Sequence, residues 1–428
     1  MNINELKSLF GKNEFDSLLM DIYEDSSLIG YQNNRYIKAL DKFESLFGEG
    51  EVEIYSAPGR TEVGGNHTDH QHGQVLAASI NLDAISITQK TDDGIISLVS
   101  EGYDLITIDT ANTELIEEEK GTTVALIKGV VNEFKNRGYK VGGFKAYITS
   151  DVLVGAGLSS SAAFEAVIGT ILSGLYNDMK ISSVEIAIIS QYAENVYFGK
   201  PCGLMDQMAC SVGGFVNIDF IDPANPVVNK IDFDITNEGY SLCIVDTKGS
   251  HADLTDDYAL IPAEMKEVAK VFGKEVLGDV NPDEFFSNIP KALAGASSRG
   301  VLRAYHFFTE NKRVSVEVNA LKENNFHKFL DTVKESGNSS YKFLQNIYAN
   351  KEPLNQPVSI ALAASEYILG DNGVCRVHGG GFAGTIQAFV KNEAVPEYKK
   401  FIESIFGTDS CHILKIRKYG GMKVQWVF

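Results

Sequence analysis

The chain has 428 residues, of which 57 are acidic and 38 are basic, and its formal net charge is −19. This length predicts two or three domains, and 44% hydrophobic residues are enough for large buried cores. So acidic a balance argues against binding to nucleic acid or to anionic membranes, because both require a basic surface. If the ligand is a polyanion, local features of a site must bind it.

Five cysteines are widely spaced, and the absence of any CxxC pair is typical of proteins from a reducing compartment. The first ten residues, MNINELKSLF, lack the basic-then-apolar layout of a secretory signal. The sequence has no run of about 18 apolar residues that could span a bilayer. We therefore expect a cytoplasmic protein.

Hydrophobic periodicity predicts helices and strands without strict βαβ alternation, and the first 50 residues are predicted to be helical and amphipathic. The further predicted elements are strand 52–56 with a turn at 57–60, strands 75–88, 95–100 and 105–109, helix 122–137 ending at Gly138, strand 144–148, helices 161–176 and 183–197, strands 215–220 and 242–245, a mostly helical region 256–369, and strands 385–390 and 423–428. The pattern predicts an α+β protein of two closely packed halves. We place these halves at 1–235 and 236–428, with the last strand as a candidate to return to the first half.

The segment 152–163, VLVGAGLSSSAA, predicts a glycine-rich loop at the start of a helix. Backbone N–H groups at such a helix N-terminus bind anions. The segment is not a P-loop, since it has no Gly-Lys-Ser/Thr, and Ser160 replaces the third glycine of the dinucleotide fingerprint. Taken alone, these residues fit either a phosphate-binding loop or a simple helix cap.

Two acidic residues are candidates for chemistry at phosphates. Asp206 follows a short glycine turn in the segment 201–207, PCGLMDQ, and Glu194 lies in the preceding predicted helix. A lone aspartate is usually a helix cap or a surface charge, and Glu194 would usually be solvated. The alternative role for Glu194 is to bind Mg²⁺, which at phosphates typically uses one or two carboxylates.

The segment 57–73, APGRTEVGGNHTDHQHG, crowds its polar side chains into a glycine-rich stretch: Arg60, Asn66, His67, Asp69, His70 and His72. This mix of amide, imidazole and carboxylate suits a pocket for a polyol. The alternative is a zinc or iron site of a metal-dependent hydrolase, because His67, Asp69, His70 and His72 are all capable of binding metal. A fourth segment, RVHGGGFAG at 376–384, indicates by itself only a tight strand connection.

In this order and spacing, the segments resemble the galactokinases of the galacto-, homoserine, mevalonate and phosphomevalonate (GHMP) kinase superfamily. The resemblance covers most of the chain. It depends on five motifs: GRxxxxGxHTD at 59–69, GLSSSAA at 157–163, CGLMDQ at 202–207, RAYHFFTENKRV at 303–314 and GGGF at 379–382. Each motif is weak alone, but five in series are specific.

The resemblance implies a two-domain GHMP kinase fold, with an N-terminal α/β domain, a C-terminal α+β ferredoxin-like domain and the active site in the cleft between them. It also implies ATP-dependent phosphorylation of the anomeric hydroxyl of galactose, which produces galactose 1-phosphate and ADP. The expected ligands are a hexose and ATP as its Mg²⁺ complex. We expect a monomer or a weak homodimer.

By resemblance, Asp206 is the catalytic base and Arg60 stabilises the transferring phosphoryl group. The other implied positions are sugar contacts at Asn66, His67, Thr68, Asp69, Gly203 and Tyr258, ATP contacts at Gly155, Ala156, Gly157, Leu158, Ser159, Ser160 and Ser161, and Mg²⁺ ligands at Ser161 and Glu194. The chemistry agrees, because phosphoryl transfer requires mainly positioning and charge neutralisation. A carboxylate that takes the hydroxyl proton typically contributes about 10²–10⁴-fold.

The chain departs from the usual galactokinase residues at four places. Asn66 stands where glutamate is usual, His70 where tyrosine is usual, Val63-Gly64 where Leu-Ile is usual, and His378 where threonine is usual. The usual glutamate contacts the hydroxyl on carbon 6, so a neutral amide would remove a negative charge from that end of the pocket. Galacturonate and N-acetylgalactosamine are therefore alternative substrates. A non-catalytic sugar sensor is the alternative from another class.

Overall fold

The computed structural model describes residues 1–153, 157–249, 254–382 and 384–424. Its strands are β1 (Glu53–Gly64), β2 (Gln74–Lys90), β3 (Ile95–Ser100), β4 (Ile106–Asp109), β5 (Phe144–Ser150), β6 (Phe215–Asp219), β7 (Val227–Ile231), β8 (Tyr240–Asp246), β9 (Gly373–His378), β10 (Thr385–Lys391), β11 (Cys411–Leu414) and β12 (Met422–Lys423). Its helices are α1 (Ile3–Gly11), α2 (Asp16–Tyr23), α3 (Ile29–Phe47), α4 (Thr123–Asn136), α5 (Ser160–Asn177), α6 (Ser183–Tyr192), α7 (Met205–Val212), α8 (Thr255–Val271), α9 (Pro282–Ser287), α10 (Ile289–Gly295), α11 (Ser298–Lys322), α12 (Phe326–Ser339), α13 (Pro357–Leu369) and α14 (Val395–Phe406).

The first sheet is built around the long strand β2. This strand pairs with β1 along most of its length, with β6 through its first residues and with β5 through its last. The order is β12-β1-β2-β5-β3-β4, with β7 paired to β6. Strands β3 and β5 are parallel, and the remaining pairs are antiparallel.

The second sheet has the order β11-β8-β10-β9 and is antiparallel. The chain changes from the first sheet to the second between Ile231 and Tyr240. The C-terminal strand β12 pairs with β1 of the first sheet, where Lys423 lies opposite Tyr55. On this change of sheet we propose the domain division at 235/236, with β12 returning to the N-terminal domain.

Alternating side chains bury both faces of each sheet. In β1, Ile54 packs into a core with helices α1 to α3, whereas Tyr55 faces the core that contains α4 to α6. In β8, Leu242 joins that same main core, whereas Cys243 packs with α13 and α14. The two halves therefore share one continuous core, which holds the site-bearing strand β1 rigidly against the second sheet.

Three features differ from the sequence-based predictions. The segment 57–60 is not a turn but part of β1, where a register shift against β2 between Pro58 and Arg60 accommodates the proline. Glu194 lies in a π-helical turn, Ala193–Phe198, that continues α6, rather than in regular helix. The predictions missed β7, β9, β11, α7 and α14. Strand β9, for example, buries the polar side chains of Arg376 and His378 as well as the apolar ones, so its polar residues do not mark a solvent-exposed face.

Among the described helices, none combines the length and the apolar character needed to cross a bilayer.

Candidate active site

At the centre of the site, Arg60 and Asp206 form a bidentate ion pair. The Arg60 Nε donates to Asp206 Oδ1 and the Nη2 donates to Oδ2, each at 2.8 Å. Arg60 belongs to β1, and Asp206 lies in the first turn of α7. The Arg60 side chain is 8% exposed and that of Asp206 is 33% exposed. The pair is thus held in the interior, while one side of the carboxylate remains accessible.

The surroundings keep Asp206 ionised. Burial alone would raise the pKa of its carboxyl, but the charge of Arg60 and hydrogen bonds from Arg60 and Ser159 outweigh burial and lower the pKa. The Ser159 Oγ donates to Asp206 Oδ2 at 2.6 Å. The sequence predicted Ser159 as an ATP contact, so its direct contact with the carboxylate is new information from the structure.

The glycine–serine loop ends directly against this ion pair. The Arg60 backbone N–H donates to the Leu158 carbonyl at 3.1 Å, and the Arg60 Nη1 donates to the Gly157 carbonyl. Gly157 and Ser159 have positive φ angles of 67° and 56°, so the chain turns sharply before α5 begins at Ser160. The unpaired N–H groups at this helix start can bind an anion. The predicted contacts Gly155 and Ala156 lie outside the described residues.

A cavity of about 640 Å³ opens beside the start of α5, and Ser160 and Ser161 form part of its wall. Further lining residues come from the β3–β4 connection, the start of α4 and the end of β5: Tyr103, Leu105, Ile106, Val124, Ile148 and Val152. A partly apolar cavity beside a helix N-terminus suits a nucleotide whose phosphates reach that helix. No sequence pattern indicated the cavity, because its walls come from segments far apart in the chain.

Glu194, a predicted Mg²⁺ ligand, is buried, with 4% of its surface exposed. The Gln207 Nε2 donates to Glu194 Oε2 at 2.6 Å and to Glu165 Oε2 at 3.3 Å. The other Glu165 oxygen has no hydrogen-bond partner among the described residues. Glu165 follows Ser161 by one helical turn, so both lie on one face of α5. Ser161 and Glu194 supply the oxygen donors that Mg²⁺ prefers, and Lys200 Nζ also contacts the Glu194 carboxylate, at 3.3 Å.

The predicted sugar contacts Asp69 and Gly203 lie against each other. A Cβ at position 203 would overlap the end of the Asp69 side chain, so the two residues are in close contact. Burial raises the pKa of Asp69, and the negative charge of Asp206 adds to the rise. Asp69 therefore lies close enough to Asp206 for the two carboxylates to interact electrostatically.

The glycine loop 379–381, which connects β9 to β10, organises three predicted sugar contacts. Its first carbonyl accepts from Asn66 Nδ2 at 2.7 Å, its second from His67 Nε2 at 3.2 Å and its third from the Tyr258 hydroxyl at 3.2 Å. A Cβ at Gly380 would overlap the Tyr258 ring. The loop that the sequence indicated only as a strand connection thus joins the sugar motif of the first sheet to the second sheet.

His67 and His70 are neutral. The carbonyl of Gly380 can only accept, so His67 carries its proton on Nε2, and its Nδ1 lies 3.4 Å from His70 Nε2. Burial and the neighbouring imidazole lower the pKa of His67, and burial lowers that of His70 to about 4. Among the described residues, no group of three or more His, Cys, Asp or Glu side chains could hold a metal ion. The metal-dependent hydrolase hypothesis therefore has no structural support.

Two predicted sugar contacts, Thr68 and Asn66, are fully buried. The Thr68 hydroxyl lies 2.8 Å from the Gly65 carbonyl and 2.6 Å from the Gln74 carbonyl, so it closes its own loop. The Asn66 amide makes four hydrogen bonds to protein atoms. These four contacts use both donors and both acceptor positions of the Asn66 amide, whereas the Thr68 hydroxyl keeps lone pairs that can accept from a sugar hydroxyl.

His378 joins β1 to the second sheet. Its Nε2 lies 3.0 Å from the Thr61 hydroxyl and 3.3 Å from the Glu62 backbone nitrogen, and its Nδ1 lies 3.0 Å from the Thr385 hydroxyl. Because a backbone N–H only donates, Nε2 is the acceptor and Nδ1 carries the proton. Burial and the charge of Arg60 hold the pKa of His378 well below its usual value. The neutral imidazole thus holds Thr61 and Glu62, the two residues of β1 that follow Arg60, against the second sheet.

Comparison with known proteins agrees with this arrangement. Residues 125–214 match the family described as GHMP kinases N terminal domain, and residues 41–90 match the galactokinase galactose-binding signature. A galactokinase from Glaesserella parasuis is 31% identical over 370 residues, which cover 84% of this chain and 91% of the relative. A galactokinase from Streptomyces coelicolor is 29% identical over 366 residues, which cover 86% and 92% of the two chains.

The fold is also found in solved structures. Lactococcus lactis galactokinase in complex with galactose superposes with a TM-score of 0.75 and 24% identity, over 90% of this chain and 98% of that chain. Methanococcus jannaschii mevalonate kinase superposes with a TM-score of 0.59 and 18% identity, over 86% and 99%. The two-domain α+β architecture is therefore the GHMP kinase fold, and the chain belongs to the galactokinase family of ATP-dependent sugar phosphotransferases.

Proposed function

We propose that the protein phosphorylates galactose on its anomeric hydroxyl with ATP, producing galactose 1-phosphate and ADP. The observation that carries this proposal is the bidentate Arg60–Asp206 pair at the N-terminal end of α5. It puts an acceptor for the hydroxyl proton beside a guanidinium for the phosphoryl oxygens. The nucleotide-sized cavity adjoins the same helix start.

Asp206 orients the sugar hydroxyl and takes its proton. Because its pKa is lowered, Asp206 is a weak base before the reaction. In a loose phosphoryl-transfer transition state, however, the hydroxyl becomes strongly acidic only as its bond to phosphorus forms. The carboxylate therefore accepts a hydrogen bond first and the proton late. Arg60 neutralises charge on the phosphoryl oxygens at the same point.

ATP binds with its nucleoside in the cavity and its phosphates at the start of α5. In this proposal Ser161 and Glu194 hold the Mg²⁺ of the Mg-ATP complex, which neutralises phosphate charge when bound. Gln207 holds one Glu194 oxygen in place through its 2.6 Å hydrogen bond. A helix N-terminus, a metal ion and one arginine explain how a chain of net charge −19 can bind a triphosphate.

The sugar lies beside Asp206, with Asp69, Gly203 and Tyr258 as its contacts, while His67 positions the loop through its hydrogen bonds to the Gly380 carbonyl and to His70. The Asp69 carboxylate can accept hydrogen bonds from two neighbouring hydroxyls, and the Gly203 backbone leaves room for it. We also propose a cytoplasmic location, because all five cysteines are free thiols, as expected in a reducing compartment.

A coupled ADP-release assay with galactose, galacturonate and N-acetylgalactosamine tests the proposal. We expect Mg²⁺-dependent turnover that is fastest with galactose. Asp206→Asn should lower kcat by about 10²–10⁴-fold and leave ATP binding measured by calorimetry nearly unchanged. Galactose binding without ADP release would identify a sugar sensor instead. Turnover confined to galacturonate would overturn the substrate assignment while leaving the kinase activity intact.

A further inference from the structure

The orientation of the Asn66 amide follows from its partners. Its Nδ2 donates to Glu62 Oε1 at 2.9 Å and to the Gly379 carbonyl at 2.7 Å. Its Oδ1 accepts from Ser340 Oγ at 3.2 Å and from Asn346 Nδ2 at 2.8 Å. The carbonyl and the carboxylate are acceptors, and the Asn346 nitrogen is a donor. The reversed amide would therefore place like groups against each other at three of these contacts.

Glu62 is the residue that connects this amide to the second sheet. Its Oε1 also accepts from Arg376 Nη2 at 2.9 Å, and the same arginine donates to the Val63 carbonyl. The backbone carbonyl of Glu62 accepts from Gln387 Nε2 at 3.0 Å. The Glu62 side chain is only 6% exposed, so it is part of the interior. Glu62 therefore links β1, β9 and β10 to Asn66.

The surroundings of this pair are already rich in carboxylates. The Gly65 backbone N–H donates to Glu310 Oε1 at 3.2 Å. A Cβ at Gly64 would overlap the carboxylate of Glu317, so the glycine at a position where isoleucine is usual makes room for that side chain. Both Glu317 oxygens lack partners within the described part of the chain. A carboxylate at position 66 would place an oxygen where the Asn66 Nδ2 now donates. That oxygen would face two other acceptors, Glu62 Oε1 and the Gly379 carbonyl.

We propose that Glu62 and Asn66 form one positioning unit, in which Glu62 supplies the carboxylate and Asn66 the amide that fastens the sugar-motif loop to the glycine loop 379–381. Neither side chain touches the sugar. Their effect on the reaction passes through His67, whose Nε2 donates to the next carbonyl of the same glycine loop. The identity of the sugar rests on the proposed function, but the coupling between Glu62 and Asn66 does not.

The nearly isosteric exchange Asn66→Asp tests this unit. It places a carboxylate oxygen against Glu62 and the Gly379 carbonyl, and an unsatisfied buried acceptor typically costs enough to change an equilibrium by about 10-fold or more. We expect KM for galactose to rise about 10-fold or more, KM for ATP to change little, and the unfolding midpoint to fall. In the double variant Glu62→Gln with Asn66→Asp, the new amide can donate to the new carboxylate, so both properties should recover in part.

Asn311→Asp is the matched control, because the Asn311 Oδ1 only accepts, from the Gln74 N–H at 2.7 Å, and a carboxylate oxygen can accept equally. We expect it to leave KM and unfolding nearly unchanged. Additive losses in the double variant, in both KM and unfolding, would overturn the proposal. So would an Asn66→Asp variant that discriminates between galactose and galacturonate differently without any change in unfolding, since position 66 would then contact the sugar.

Thermal unfolding can be measured for the wild type, for Asn66→Asp, for Glu62→Gln and for the double variant. Together these measurements give the energetic coupling between positions 62 and 66 without any activity measurement. If the wild type does not phosphorylate galactose but the unfolding cycle shows coupling, the proposed function fails and the positioning unit stands. If galactose is phosphorylated and the cycle is additive in unfolding and in KM, the positioning unit fails alone.

Discussion

Arg60→Lys separates the charge of Arg60 from its geometry. Lysine keeps a positive charge but has one nitrogen in place of the guanidinium fork. In the structure, Nε and Nη2 bind the two Asp206 oxygens at 2.8 Å, and Nη1 binds the Gly157 carbonyl. A single ammonium group cannot make these three contacts at once. The change therefore disturbs the carboxylate and the phosphate loop together.

The magnitude follows from the contacts that are lost. Removing one preorganised donor to a developing negative charge typically lowers kcat by about 10²–10³-fold. We expect a loss of that size for Arg60→Lys, with a smaller effect on KM for ATP. The pKa of Asp206 should rise in the variant. In the wild type, the paired guanidinium counteracts burial, which by itself raises this pKa. The acid limb of the kcat/KM profile should move to higher pH.

The assay is coupled ADP release across acid and neutral pH, with unfolding curves to verify the fold. Arg299→Lys is a matched control, because Arg299 also contacts one carboxylate, that of Glu264, through Nε and Nη2, but outside the site. It should leave kcat and the pH profile unchanged. A kcat of the Arg60 variant within about threefold of wild type would refute the reasoning, since it would mean that charge alone is sufficient.

Two further predictions concern stability. Asp83 is fully buried between Arg35 at 2.7 Å and Arg417 at 2.8 Å, so Asp83→Asn should lower the free energy of unfolding in urea by ~3–5 kcal/mol; a loss below ~1 kcal/mol would contradict this. For Glu62, burial outweighs Arg376 and raises the pKa from 4.5 to about 7, so the folded chain binds the proton more tightly. This proton binding contributes ~3 kcal/mol at most to the free energy of unfolding. The contribution is fully present below the pKa of Glu62 in the unfolded chain, and it is lost as the pH rises through about 7. Urea unfolding against pH should therefore show a slope that Glu62→Gln flattens, and an unchanged slope in that variant would argue against it.

Several parts of the site could be predicted because their signals are local. The glycines and serines before α5 reveal a helix start, since an N-terminus requires groups that satisfy or replace its free N–H donors. The pattern of the sugar motif indicates polar chemistry within a few residues. These predictions need no knowledge of partners elsewhere in the chain.

The contacts of Asn66 and Glu194 could not be predicted in this way. Asn66 is bonded to Asn346, 280 positions away, so a partner distant in the chain occupies part of its amide. For Glu194 the sequence left a solvated residue and a Mg²⁺ ligand as alternatives, whereas the structure buries its side chain, which accepts from Gln207. An amide or a carboxylate has no inherent role, so its neighbours decide whether it binds a ligand or holds the fold.

The amino-acid sequence by itself determined the acidic character, the α+β class, the loop at the start of α5 and the residue types of the site. These follow from composition, periodicity and capping chemistry, which act over short stretches of chain. Tertiary structure decided which of those residues meet. It joined Arg60 to Asp206, turned Asn66 inward and formed the nucleotide-sized cavity from distant segments. Burial and pairing depend on the whole fold, and they set the pKa and the accessibility of each group.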